Sequence, residues 1–381
     1  MTITDVAGAQ ALGIDPEKLD ILLTRCRKDV DDGLLPSCQV ALARDGRLAA
    51  FETFGTSTND TRYVIFSATK AVVASAVWLL IADGSLDISK RVVDYIPEFG
   101  TNGKDVVTVE QVLLHTSGFP HAPLGPPQWS DRAQRLERFS QWRLNWEPGT
   151  RHEYHPTSAH WVLAELIERL TDTDYRRFVR GHVVDPLGLG ISLGIREDER
   201  DSVAPLSPVG EPTDPDELER LLGIRELPIT EVTEEALLMF NEPSALTVGV
   251  PGGGAVSTAA DLALFYQGLL HNRDKIWDPD LLADATGRVR NRFPDPLTGV
   301  PANRGLGVVI AGDDGRSAGR GLGHTVSPRA FGHNGAGGQV AWADPDTGLS
   351  FVYLTNGLDR NQLREWRRSS GVASKAAVCA A

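Results

Sequence analysis

The chain contains one S-x-x-K, Ser67-Ala68-Thr69-Lys70, which sets a hydroxyl and an amine three residues apart. On a helix, residues i and i+3 share a face, so the lysine nitrogen can reach the serine oxygen. A helix N-terminus also favours negative charge developing at that oxygen. A serine hydroxyl is a poor nucleophile without a base, and a lysine becomes a base once desolvation lowers its pKa. The run 71–81 that follows is almost wholly apolar, and burying a lysine beside it costs free energy that a purely structural role does not explain. Ser67 and Lys70 are therefore the candidate nucleophile and activating partner of an acyl-transfer site.

The elements around this pair set its position. The stretch 67–83 reads as a helix stopped by Gly84, with apolar and small residues all round its axis, as expected at the middle of a domain. Upstream, Asp15 and Pro16 are an N-cap and first helical residue for a helix running to Gly33. Two strand-like runs, 39–43 and 48–54, flank Arg44-Asp45-Gly46-Arg47, whose Asp-Gly pair signals a hairpin. Helical character dominates the middle at 109–114 and 158–170. It is broken by Pro/Gly-rich loops and by an acidic irregular segment at 197–235. Ser257-Thr258-Ala259-Ala260-Asp261 caps a further helix through Leu270.

Strand character returns at 306–311, 339–343 and 349–355, the last two joined by Asp344-Pro345-Asp346-Thr347-Gly348. A helix at 359–368 closes the chain. The expected fold is α+β: an antiparallel sheet built from N- and C-terminal segments and flanked by helices, with a mostly helical inserted region. Residues 1–381 form one unit, with the sheet-bearing part at 1–64 and 300–381 and the helical part at 65–299. The site is expected at the seam between them, where pockets commonly form.

Several passages in order resemble the serine β-lactamase family in its wide, penicillin-recognising sense, especially the class C and family VIII carboxylesterase branches. They are Phe66 to Lys70, Leu113-Leu114-His115-Thr116-Ser117-Gly118, Glu147-Pro148-Gly149 with Tyr154-His155-Pro156, Pro251-Gly252-Gly253-Gly254, and Gly332-His333-Asn334-Gly335-Ala336-Gly337-Gly338. The resemblance implies a β-lactamase/transpeptidase-like fold, Ser67 as nucleophile, Lys70 as its proton acceptor and Tyr154 as the proton shuttle of a Y-x-N motif. It puts His333-Asn334-Gly335 in the place of K-T-G or H-T-G on a strand lining the cleft. The N–H groups of Ser67 and Ala336 would then form the oxyanion hole, with His333 and Gly335 at the substrate.

Two departures bear on substrate. Pro156 replaces the family's asparagine, so its amide contacts with Lys70 and with a substrate amide are expected to be missing. His333 replaces a lysine, and its ordinary pKa near 6.5 would leave it charged at pH 5 but not at pH 8. Both favour ester hydrolysis over cleavage of a β-lactam or peptide bearing a carboxylate. The leading expectation is a serine hydrolase acting on carboxylic esters or lactones through an acyl-serine. The alternatives are an amidase, β-lactamase or acyltransferase using the same acyl-serine, and a catalytically silent binding protein.

Other signals are weaker. Gly315-Arg316-Ser317-Ala318-Gly319 fits the G-x-S-x-G elbow string, but 320–324 cannot make the helix an elbow needs, so Ser317 reads as a loop serine. His152, His155 and His160 lack a zinc pattern and read as solvated or hydrogen-bonded histidines near the cleft. Gly252 to Gly254 match no nucleotide loop. The net charge of −13 disfavours nucleic acid, and no apolar run is long enough to span a bilayer. Met1 to Gly13 lack the features of a signal peptide, and Cys26, Cys38 and Cys379 are an odd count, with Cys379 expected in a frayed tail. A cytoplasmic protein is expected, with a small-molecule ester as partner and neither cofactor nor metal.

Overall fold

The computed structural model describes residues 6–226 and 232–380. Strands β1 (Ser37–Arg44) and β2 (Arg47–Gly55) meet at Asp45 and Gly46, whose φ angles of 54° and 71° are both left-handed. That two-residue turn matches the twist of the paired strands, so the Asp-Gly signal is realised as a hairpin. Near the other end come β3 (Val309–Ile310), β4 (Phe331–Gly332), β5 (Val340–Asp344) and β6 (Leu349–Thr355). The sheet order is β2-β1-β6-β5-β4-β3, with every pairing antiparallel. The β1–β6 ladder, from Cys38 opposite Thr355 to Arg44 opposite Leu349, joins the two ends of the chain as expected.

Four helices support the site: α1 (Pro16–Asp31), α2 (Thr69–Ala82), α3 (Ala259–His271) and α4 (Gln362–Ala377). The Asp15 carboxylate caps α1 by accepting from the N–H groups of Glu17 and Lys18. Helices α1 and α4 cover one face of the sheet, burying Leu19, Leu22, Val372 and Ala373 with Val40, Trp342 and Tyr353. Helix α3, capped by Thr258, covers the other face. From it the buried Gln267 amide donates to the carbonyls of Ala43 and Gly348 at 3.1 Å and accepts from Gly46 N–H at 2.8 Å, locking both hairpin turns. Helix α2 is buried continuously from Thr69 to Trp78, as its uniform apolar character requires.

Three expectations change. The strand read at 306–311 shrinks to β3. The chain before it bends around α2, and at Gly307, with φ of 86°, a Cβ would come within 2.3 Å of the Ala74 side chain. Helix α4 runs nine residues past the expected end at 368, because Val372, Ala373, Ala376 and Ala377 keep burying apolar surface. Cys379 is not in a frayed tail. Its carbonyl accepts from Asp15 N–H at 2.9 Å and its thiol is buried near Cys26 and Cys38, where burial pushes the Cys38 and Cys379 thiols up to about 12. The acidic segment 197–235 holds a 3₁₀ turn Glu197–Ser202, a short strand Ser207–Val209 and a helix Pro215–Leu222, and its residues 227–231 lie outside the described residues.

The fully buried Arg368 guanidinium ties α4 to α1 and to the strand Gly357–Asp359, 2.5 Å from both Asp29 and Asp359. Arg368→Leu leaves two desolvated carboxylates each short of one counter-charge, Asp29 keeping only the longer Arg25 pair and Asp359 keeping Arg364. We expect urea unfolding to show a loss of about 3 kcal/mol, the scale for breaking a buried pair by removing one partner. An unchanged unfolding midpoint would contradict that account.

Candidate active site

The nucleophile turn is held by a second, small sheet of Tyr63–Val64, Ala255–Ser257 and Ser192–Leu193. Ile65 N–H donates to Ala255 O at 3.0 Å, and the Thr69 hydroxyl accepts from Ala255 N–H at 3.1 Å. Between these anchors Phe66 takes a left-handed φ of 43°, a conformation that costs a non-glycine residue on the order of 1 kcal/mol or more. Ser67 lies in the 3₁₀ turn Phe66–Ala68, and α2 begins at Thr69, two residues later than the sequence pattern indicates. The tighter turn still points serine and lysine the same way. Ser67 is half-buried while Phe66 and Ala68 are buried, so the hydroxyl is the exposed part of the turn.

Lys70 is wholly buried. Its Nζ lies 3.3 Å from Ser67 Oγ and donates to the carbonyls of Pro156 and Gly252 at 2.6 Å each. Burial first, and then the charge of Arg304, hold its pKa well below the ordinary lysine range. A neutral amine has two N–H groups, which the two carbonyls satisfy, and one lone pair, which is left facing Ser67. The expectation that Pro156 deprives Lys70 of a partner is thus corrected. The asparagine side chain is absent, but the Pro156 backbone carbonyl takes its place. Gly252 is needed here because a Cβ would sit 2.9 Å from Pro156 O and 3.3 Å from Lys70 Nζ.

Tyr154 completes the group, its hydroxyl donating to Ser67 Oγ at 2.8 Å while Lys70 Nζ lies 5.0 Å from its ring centre. Burial pushes the phenol up to about 12, with the Ser67 hydrogen bond and Arg304 pulling the other way. Opposite Ser67, a Cβ at Gly335 would come 2.3 Å from Ile65 O, so only glycine lets the 333–336 segment lie against the nucleophile turn. The structure therefore brings Ser67, Lys70, Tyr154, His333, Gly335 and Ala336 into one neighbourhood.

A β-lactamase family model matches residues 24–370. The chain belongs to the β-lactamase family. It is similar to an esterase/β-lactamase, LipL, of Mycobacterium tuberculosis, with 29% identity over 78% of this chain and 70% of that protein. A family VIII carboxylesterase structure superposes with a TM-score of 0.76 at 25% identity, covering 96% of this chain and 99% of that one. A penicillin-binding protein homologue from Caulobacter crescentus gives 0.75 at 25% identity, over 96% and 99% of the two chains. The protein is a β-lactamase-fold serine hydrolase, with the mixed helix and antiparallel-sheet architecture of that family.

Within this β-lactamase-family site His333 differs from expectation. Its Nδ1 lies 2.8 Å from Asn334 O, and its Nε2 lies 3.1 Å from an Arg304 guanidinium nitrogen. Nδ1–H therefore donates to the carbonyl and Nε2 accepts from Arg304. Burial, then Arg304, then Lys70 hold His333 well below its ordinary pKa, and an Nε2 that accepts from Arg304 belongs to the neutral ring, so the charge expected of it is disfavoured. Arg304 is a residue of this site that sequence reasoning did not single out. It is buried, lies 5.4 Å over the Tyr154 ring, and sits in a stretch with no recognisable pattern. It also lines a cavity of about 480 Å³ beside Gly335, walled by Leu297, Val300, Glu365 and Trp366.

The histidine group is buried, not solvated. His155 Nε2 accepts from Phe119 N–H at 3.2 Å and Nδ1 donates to Glu153 O at 2.7 Å, fixing the Tyr154 loop to the 115–119 turn. His115, at φ of 56°, accepts from His155 N–H at 3.2 Å and so helps hold the Tyr154 loop. Burial first lowers His152 and His155 to about 3, and His160 is also held down. Among the described residues no His, Cys, Asp or Glu group has the arrangement to hold a metal. Ser317 donates to Gly323 O at 2.6 Å within a short 3₁₀ turn, a loop serine as expected.

Proposed function

We propose that the protein cleaves carboxylic esters or lactones through an acyl-serine intermediate. The observation that carries this is the placing of one hydroxyl, Ser67 Oγ, between the Lys70 amine at 3.3 Å and the Tyr154 hydroxyl at 2.8 Å. As Ser67 attacks the carbonyl carbon, its proton passes to the neutral Lys70 amine. The oxyanion forms between the N–H groups of Ser67 and Ala336. The ester C–O bond then breaks, the departing alkoxide takes a proton from Tyr154, and Lys70 returns one to Tyr154. Water attacks the acyl-serine under the same groups run in reverse, releasing the acid and restoring the Ser67 hydroxyl.

The ester preference draws on Pro156, which offers no side-chain amide to a substrate amide, and on a neutral His333 where a lysine would hold a carboxylate. The esterase names of LipL and of the family VIII structure support the same reading. The amide or β-lactam alternative draws on one observation, the Arg304 cation lining the cavity beside Gly335. Turnover of p-nitrophenyl butyrate is expected to exceed that of a chromogenic cephalosporin by several orders of magnitude. Cephalosporin hydrolysis at an equal or higher rate would replace the ester reading with the β-lactamase one.

A further inference from the structure

We propose that Arg304, held by His333, is the positioning cation of this site and tunes Lys70 and Tyr154 for proton transfer in place of a charged group at position 333. This deepens the hydrolase reading and takes its proton relay from it. The guanidinium is oriented by two contacts, one nitrogen 3.1 Å from His333 Nε2 and its carbon 5.4 Å from the Tyr154 ring centre, and the Arg304 backbone is anchored by donating to Asn291 O at 3.1 Å and accepting from Arg290 N–H at 2.8 Å. Among the described residues no carboxylate lies within 4 Å of it; the Asp295 charge acts on it only from longer range. A buried, permanently charged group without an adjacent counter-ion is costly to keep.

That cost has a return in the charge states around it. Lys70 faces Tyr154, His155, His160 and His333, each of which burial holds toward its neutral form, so Arg304 is the fixed positive charge acting on it. One cation in a desolvated space disfavours a second, which keeps Lys70 an amine able to accept the Ser67 proton. The same charge favours any negative charge that forms on the Tyr154 oxygen during transfer. His333 serves this arrangement as an acceptor: donating Nδ1–H to Asn334 O leaves the Nε2 lone pair aimed at the guanidinium. Pairing a histidine with a distant arginine thus supplies the charge that a single lysine at 333 would supply.

The sign follows directly. Activity needs the Lys70 amine, so the acid limb of kcat/KM reports its protonation, and removing the Arg304 charge must move that limb to higher pH. The test is ¹³Cε-lysine NMR of the full chain, whose seven lysines give few signals, with Lys70 assigned through Lys70→Arg. The Lys70 midpoint is expected to rise by about one pH unit or more in Arg304→Gln, and the acid limb on p-nitrophenyl butyrate to rise with it. Arg304→Lys, which keeps the charge, should hold both near the wild-type values. Arg304→Met, which keeps most of the packed stem, provides a second uncharged variant if the first does not fold. A Lys70 midpoint equal to wild type in the folded uncharged variant overturns the proposal, even if kcat falls. Absence of ester hydrolysis by the wild type would instead overturn the hydrolase reading, and the NMR midpoint would still decide the role of Arg304.

Discussion

Ser67→Ala is expected to abolish both ester hydrolysis and covalent labelling by a fluorophosphonate, while Ser317→Ala leaves both nearly intact. Loss of a nucleophile that works as part of a relay costs on the order of 10⁶ in kcat. Ser67 has the surroundings of such a nucleophile: it is half-buried, touches an amine and a phenol, and sits opposite a glycine-lined strand end. Ser317 is buried in a turn and commits its hydroxyl to Gly323 O, with no base beside it. Mass spectrometry of the labelled peptide locates the adduct. Labelling that survives Ser67→Ala and disappears in Ser317→Ala would show that the nucleophile has been assigned to the wrong turn.

Lys70→Ala and Tyr154→Phe are each expected to lower kcat by about two or more orders of magnitude, the range for losing a positioned proton-transfer group. The double variant should be scarcely worse than the weaker single one, because both groups serve one proton path through Ser67. The two singles should differ in another respect. Tyr154→Phe removes one hydroxyl, whereas Lys70→Ala also strips the Pro156 and Gly252 carbonyls of their donor inside the protein. Leaving a buried acceptor unsatisfied costs about 1–3 kcal/mol, so Lys70→Ala should be visibly less stable to urea while Tyr154→Phe unfolds near the wild-type midpoint. Near-full activity of Tyr154→Phe at every pH would remove Tyr154 from the relay.

The sequence by itself determined what depends on neighbours along the chain. The Asp45-Gly46 turn, the Asp15 and Thr258 caps and the buried character of α2 are all local, since each needs only a few adjacent residues of the right type. Ser67 and Lys70 were legible for the same reason, because three-residue spacing on a turn or helix already brings their side chains together. Tyr154, His333, Gly335 and Ala336 were legible only through the family resemblance, which stores long-range proximity as an order of motifs. The tertiary structure decided the charge states and the partners. The carbonyls that take the Lys70 N–H groups belong to residues 86 and 182 positions away, and a backbone carbonyl has no residue type to betray it. Arg304 was invisible for a related reason: an arginine outside any motif reads as a solvated surface charge until folding buries it against His333 and Tyr154. Cys379 likewise looked like loose tail, because the sheet that covers it is assembled from segments more than three hundred residues apart. Burial and the electrostatics that follow from it are properties of the packed whole, and they convert a recognisable set of residues into a site with defined proton positions.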